Sequence, residues 1–168
     1  MLDRDNAVDS LLDLMDTTIV NTDLVSWDVP FADWREMSVW VIAEGDFESF
    51  TVVVAPLSQK HPKDNYPKYL IRFESMIAFL TYEESALLDR YGGHLSSLSG
   101  WESGVPAYQW VSSPWAKSCR GYAELRRWSE PRHYLILGDD SIVEVVSSHE
   151  PKIERVDAKR IIEVRHEV

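Results

Sequence analysis

The chain has 168 residues, 45% hydrophobic and 27% charged, with a formal net charge of −11 and one cysteine. That length fits one domain able to bury about two-thirds of its unfolded surface. No apolar run approaches the roughly 18 residues that a bilayer span requires, and a lone cysteine excludes an internal disulfide.

The charge is unevenly placed. Residues 1–50 hold twelve acids and two bases, whereas the remaining 118 hold sixteen acids and fifteen bases. Such a field repels nucleic acid and membrane surfaces and steers a basic protein partner, although an acidic surface also serves solubility alone. The acidic start lacks the basic and apolar regions of a signal peptide, so a cytoplasmic location is expected.

In chain order, residues 5–16 read as a helix, with Val8, Leu11, Leu12 and Met15 on one stripe. Residues 21–37 show no clear period and read as a connection holding Trp27, Phe31 and Trp34. Residues 38–43 and 50–55 form the strands of a hairpin, with a turn at Gly45-Asp46. Residues 58–67 form a polar loop. Residues 68–82 read as one bent strand or two short ones, with a bulge or turn at Ser75-Met76. "EESALLDRYGG" then predicts a short helix, and residues 94–104 a Ser/Gly-rich loop around Trp101. "PAYQWVSS" is a strand, and Pro114 opens a helix or broken helical turn interrupted at Gly121. "HYLILGDDSIVEVVSS" is a hairpin, and residues 160–165 a final strand. The sum is an α+β single domain over 1–168. An acidic helix and connection (1–36) precede a sheet-rich body (37–168) of about seven mostly antiparallel strands with one or two further short helices.

Gly138-Asp139-Asp140 has the letters of a metal-binding polymerase hairpin. Two-metal chemistry needs further carboxylates and a basic substrate channel, which a 168-residue chain of this charge does not supply. Turn chemistry explains the same residues: Gly138 permits positive φ, and the aspartates sit at an exposed tip with Ile136 and Ile142 toward the core.

His61, His94, His133, His149 and His166 lack zinc-ligand spacing, no phosphate-binding glycine motif occurs, and no cofactor is implied. Ser112, Ser113, Ser118 and Cys119 lie together without a nucleophile-elbow motif. Lys117 and Arg120 beside Cys119 are able to lower its pKa, although an inert buried thiol is the commoner case. Arginines 120, 126, 127 and 132, interleaved with Tyr122, Trp128 and Tyr134, suit phosphate binding or, more simply, pairing with the acidic first third.

Of the seven tryptophans, Trp40 and Trp110 fall in strand patterns and are expected in the core. Trp27, Trp34, Trp101 and Trp115 fall in connections, where an aromatic either plugs the core edge or anchors a partner. With Asp28, Asp33, Asp46 and Glu48 they form the candidate partner-binding surface. A second candidate is an aromatic-lined cleft of Tyr108, Trp110, Trp101 and Trp115, with His133, Glu144 or His149 as acid or base. Glu144 and His149 are expected to approach each other near one strand end.

Three segments, "YLIRFESMIAFLTYEE", "YQWVSSPW" and "HYLILGDDSIVEVVSSHEPKI", lie within residues 69–153. Their pattern resembles small acidic, tryptophan-rich bacterial single-domain proteins, among them immunity proteins that neutralise toxin domains. The resemblance implies a binding role and transfers no catalytic residue. The sequence thus supports a non-enzymatic interaction domain for a basic partner, with edge strands that also permit a homodimer. The alternative is a small-molecule-binding or hydrolytic domain.

Overall fold

The computed structural model describes residues 23–43, 50–57, 68–83, 96 and 98–156. These residues form nine strands in two antiparallel sheets, with two short helices. The strands are β1 (Leu24–Ser26), β2 (Met37–Ala43), β3 (Phe50–Pro56), β4 (Lys68–Phe73), β5 (Met76–Tyr82), β6 (Ala107–Trp110), β7 (Arg132–Leu137), β8 (Ile142–Ser147) and β9 (Lys152–Val156). The helices are α1 (Pro114–Ser118) and α2 (Arg120–Leu125). One sheet has the order β1-β6-β7-β8-β5 and the other β2-β3-β4-β9. No helix among the described residues is long and apolar enough to cross a membrane.

Sheet position follows side-chain pattern. β3, "FTVVVAP", is buried from Phe50 to Ala55 with no alternation, as a strand covered on both faces must be. β9, at the edge of the same sheet, buries only Val156 fully and exposes Lys152, Glu154 and Arg155. The chain crosses between sheets at Glu74-Ser75, where β4 ends and β5 begins, and the β5–β8 register shifts between Met76 and Ala78.

The two sheets share one apolar core. Val52, Val54, Ile71 and Phe73 come from the four-stranded sheet, and Tyr134, Ile136, Val143 and Val145 from the five-stranded one. Trp27, Val29 and Phe31, from the segment between β1 and β2, close it. A smaller cluster of Leu24, Tyr108, Trp110, Leu135 and Ile142 covers the opposite face of the five-stranded sheet.

The nine strands exceed the expected seven for local reasons. β1 is three residues long, too short to show a period, and is held by pairing with β6 (Leu24 opposite Trp110). The 68–82 run is two strands in different sheets, and β9 lies between the hairpin and the final strand expected over 160–165, where no strand is predicted. The helices predicted over 5–16 and 83–93 and the strand over 160–165 lie outside the described residues, apart from Glu83, which is in neither helix nor strand. Helical structure from Pro114 onward is broken at Cys119 rather than Gly121.

Two residue-level expectations are corrected. Trp40 is 39% exposed, not core, because Val39 and Val41 take the inner face of β2 and leave Trp40 outside, opposite Val53. Gly138 does not have positive φ; the described glycines that do are Gly100 and Gly104. A Cβ on Gly138 would instead lie 2.7 Å from Val39 Cγ2 and 2.8 Å from the Ser141 carbonyl oxygen. The hairpin tip is pressed against the other sheet, where Asp139 N–H donates to Met37 O (2.9 Å) and Ser141 Oγ to Val39 O (3.0 Å). The side chains of Asp139 and Asp140 are exposed, with Ile136 and Ile142 buried, as expected.

Candidate functional site

On the outer face of the five-stranded sheet, strand alternation and register bring three polar side chains into line. Leu135 pairs with Glu144 and His133 with Val146, so His133 is the diagonal neighbour of Glu144 on the same face. On the other side Leu80 pairs with Glu144 and Tyr82 with Ile142, which makes Tyr82 a second diagonal neighbour. His133 Nε2 lies 2.6 Å from Glu144 Oε2, both side chains 0% exposed, and the Tyr82 hydroxyl donates to Glu144 Oε1.

The chain of contacts continues to α1. Ser113 Oγ is 2.8 Å from His133 Nδ1 and accepts from Ala116 N–H at 3.1 Å as the N-cap of that helix. Ser113 has extended backbone (φ −113, ψ 119) and Pro114 takes the first helical position, where its missing N–H costs nothing. The direction of proton donation follows from the carboxylate, which only accepts. With the hydrogen on Nε2, Nδ1 accepts from the Ser113 hydroxyl, while the Nε2 contact with Glu144 is close but lacks the alignment of a hydrogen bond. Trp110 stacks on the imidazole (ring centroids 5.7 Å apart, 29° between planes), and Trp115 meets it edge-on at 5.0 Å and 87°.

Ser113 and His133 both line a cleft of about 300 Å³. Val25, Gln109 and Trp110 form one part of its wall, Lys117 on α1 another, and Glu130 to Arg132 a third. Lys117 Nζ is 2.6 Å from Ser112 Oγ within that lining. The volume is at the lower end of small-molecule sites, where it suits a ligand of few heavy atoms.

The other cleft candidates are placed separately. Tyr108 is buried; its hydroxyl donates to Glu102 O (2.6 Å) and accepts from Glu102 N–H (3.0 Å), and Trp101 stacks on its ring at 5.2 Å. Burial raises the Tyr108 phenol above its ordinary value of 10.0. His149 does not join Glu144: it lies beyond the end of β8, with Nδ1 2.6 Å from Ser75 Oγ, whereas Glu144 is in mid-strand. Cys119 is not activated by Lys117 and Arg120, because burial pushes its thiol above the ordinary value.

Of the partner-binding candidates, Trp27 is a core residue, 4.9 Å from the Tyr134 ring, and offers a partner little surface. Trp34 is half-buried against Phe31 and Tyr69, while Trp101 and Trp115 are half-buried over Tyr108 and His133. Asp28 and Asp33 are exposed, as are Asp23 and Glu36, whereas Asp46 and Glu48 lie outside the described residues. The acids of this segment are held on a fixed backbone: Trp27 N–H donates to Ala107 O at 3.0 Å and Val111 N–H to Asp23 O at 2.9 Å. Most acids of the first third lie outside the described residues, so the contacts of the basic run are given for the described residues alone. Arg120 binds Glu130, Arg132 lies 3.8 Å from Glu150, and the Arg126 guanidinium stands 4.9 Å over the Trp128 ring.

Ser113 appears in the sequence among four candidate nucleophiles with no base in view. The hairpin register, with a turn at 138–141, sets His133 diagonal to Glu144. Ser113 reaches His133 through the β6–β7 pairing of Trp110 with His133, which no local pattern announces. Tyr82 carries no sequence signal, since β5 joins β8 across more than sixty residues. Among the described residues no group of three or more His, Cys, Asp or Glu is arranged to hold a metal ion. Comparison of the chain with protein-family models, curated proteins and solved structures finds no match.

Proposed function

We propose that this chain is a non-enzymatic interaction domain of the immunity type, acting in the cytoplasm, that binds a basic protein through its acidic first third. The observation behind this reading is the split of residues 23–36: Trp27 and Phe31 are buried, while Asp23, Asp28, Asp33 and Glu36 are exposed on the segment they pin. A partner would therefore meet acids already in position, with little ordering cost. The proposal retains the α+β organisation read from the sequence, whose first third carries five further acids, Asp3, Asp5, Asp9, Asp13 and Asp16.

Salt-sensitive, fast association with a basic protein is expected. Low-salt co-purification from native lysate should return a stoichiometric basic partner. The same partner should be lost with Asp28→Asn plus Asp33→Asn, or above about 0.5 M salt, where the screening length is only a few ångströms. A partner indifferent to both changes, or recovery of the chain as a homodimer alone, would overturn this reading.

A second reading, a small-molecule-binding or hydrolytic domain, is favoured by one specific observation. His133 and Glu144 meet, and the imidazole carries their contact on to Ser113 at the wall of a 300 Å³ cleft. Trp110 and Trp115 stand against the imidazole, so their fluorescence is the readout for ligands entering the cleft.

A further inference from the structure

The geometry points to Ser113 as a nucleophile for short-chain carboxylic esters, an inference that rests on the small-molecule reading of the cleft. Three observations carry it together. The Ser113 hydroxyl contacts His133 Nδ1 at 2.8 Å, the opposite ring nitrogen contacts the Glu144 carboxylate at 2.6 Å, and Ser113 and His133 line the same cleft. Hydroxyl, imidazole and carboxylate in succession are the groups that activate a serine, and the carboxylate is close to Nε2 without the alignment of a hydrogen bond. Here the two ring nitrogens exchange roles, with Nδ1 toward the hydroxyl and Nε2 toward the carboxylate. The exchange leaves the proton logic intact, because either nitrogen accepts when the other carries hydrogen. Helix capping alone accounts for the bond from Ala116 N–H, but not for a fully buried Glu–His pair behind the cap.

The chemistry balances without a cofactor. Ser113 Oγ forms a bond to the ester carbonyl carbon as its proton passes to His133 Nδ1, and the charge of the resulting imidazolium is offset by the Glu144 carboxylate 2.6 Å from Nε2. The carbon–oxygen bond to the alcohol breaks, and the leaving oxygen takes the proton from Nδ1. Water, deprotonated by the same nitrogen, then attacks the acyl-serine, releasing a carboxylic acid and restoring the hydroxyl. The residue after the nucleophile is Pro114, which has no N–H to offer a developing oxyanion. Lys117, with Nζ 2.6 Å from Ser112 Oγ, and Arg132 both line the cleft, and Lys117, on the helix that Ser113 caps, is the cation assigned that role. Ser113 and His133 are thus the catalytic residues, and Glu144, which acts through His133, is a positioning residue. The apolar wall of Val25, Trp110 and Pro131 and the small volume select an acyl group of a few carbons.

The test is labelling of the intact chain with an alkyl fluorophosphonate, followed by peptide mass mapping, beside p-nitrophenyl acetate turnover. One label per chain on Ser113 is expected. It should be lost in Ser113→Ala and kept in Ser118→Ala, whose hydroxyl is exposed and bonded to the Trp115 carbonyl. Glu144→Gln, checked for an unchanged far-UV spectrum, should label at least tenfold more slowly with a displaced pH–rate profile, which a purely structural carboxylate would not cause. If Glu144→Gln does not fold, labelling of the unsubstituted chain decides. A folded chain unlabelled at Ser113 overturns the inference. In that case tryptophan fluorescence with butyrate separates the two ideas: a saturable change leaves the cleft as a binding site without a nucleophile. No change removes the small-molecule reading as well.

Discussion

A carboxylate in the middle of β8 with none of its side chain exposed persists only while its charge is met. Glu144 is met by His133 on one oxygen and Tyr82 on the other. Glu144→Ala takes the acceptor from the Tyr82 hydroxyl and the carboxylate from beside His133 Nε2, and opens a void in the sheet face. It should lower stability by about 3–5 kcal/mol in urea unfolding, as breaking one side of a buried pair does. A loss under about 1 kcal/mol would show that water reaches the site and replaces the carboxylate. Gly138 makes the opposite point about size. An added Cβ would fall 2.7 Å from Val39 Cγ2, so Gly138→Ala should cost about 1–3 kcal/mol through overpacking. Asp139→Asn with Asp140→Asn should stay within about 1 kcal/mol, since both side chains are exposed. Equal losses in the two chains would sink the close-approach account.

At the scale of elements, the turn over residues 98–101 is seated on β1 by Leu24 N–H donating to Ser99 O at 2.8 Å. Gly100 sits at φ +79, and a Cβ there would lie 1.8 Å from the Leu24 carbonyl oxygen, so any side chain must lift the turn from the strand. Gly104 has φ +84 but open space around it. Gly104→Ala therefore meets only the left-handed backbone penalty, about 1–2 kcal/mol, whereas Gly100→Ala also breaks the seat of Trp101 over Tyr108. Thermal unfolding should show a larger loss at position 100, accompanied by a change in tryptophan fluorescence that Gly104→Ala lacks. Alternation explains much of the rest at this scale. On β7 and β8 it sends Tyr134, Ile136, Val143 and Val145 into the shared core and His133, Leu135, Ile142 and Glu144 to the other face. The alternation within each strand was legible from residues 133–146 alone, because a two-residue period is local. Which faces combine was not: Ile136 and Ile142, both expected toward the core, lie on opposite faces. β1 and β9 were not legible, because pairing with distant strands, not their own pattern, makes them strands.

Over the whole molecule, burial raises the phenols of Tyr108 and Tyr134, and for each desolvation is the largest cause. A folded value above the unfolded one near 10 means the neutral phenol favours folding. That stability is present below about pH 10 and is lost as pH rises through the folded values. Ultraviolet titration of the folded chain should show these two phenols ionising above the ordinary value, accompanied by a loss of stability over the same range. Seven phenols titrating together at the ordinary value would contradict the burial.

Residue order by itself determined the antiparallel, sheet-rich character, the β2–β3 and β7–β8 hairpins and the concentration of acid in the first third, since each follows from composition or a short period. It also placed Asp139 and Asp140 at a solvent-facing turn. Only the tertiary structure decided that the backbone under those aspartates locks onto β2, that Trp40 faces out and Trp27 in, and that Ser113, His133, Glu144 and Tyr82 form one line. The reason is distance along the chain: Ser113 and His133 are 20 residues apart and Tyr82 and Glu144 are 62 apart. No local pattern encodes which of many polar side chains meet once two sheets close over a common core.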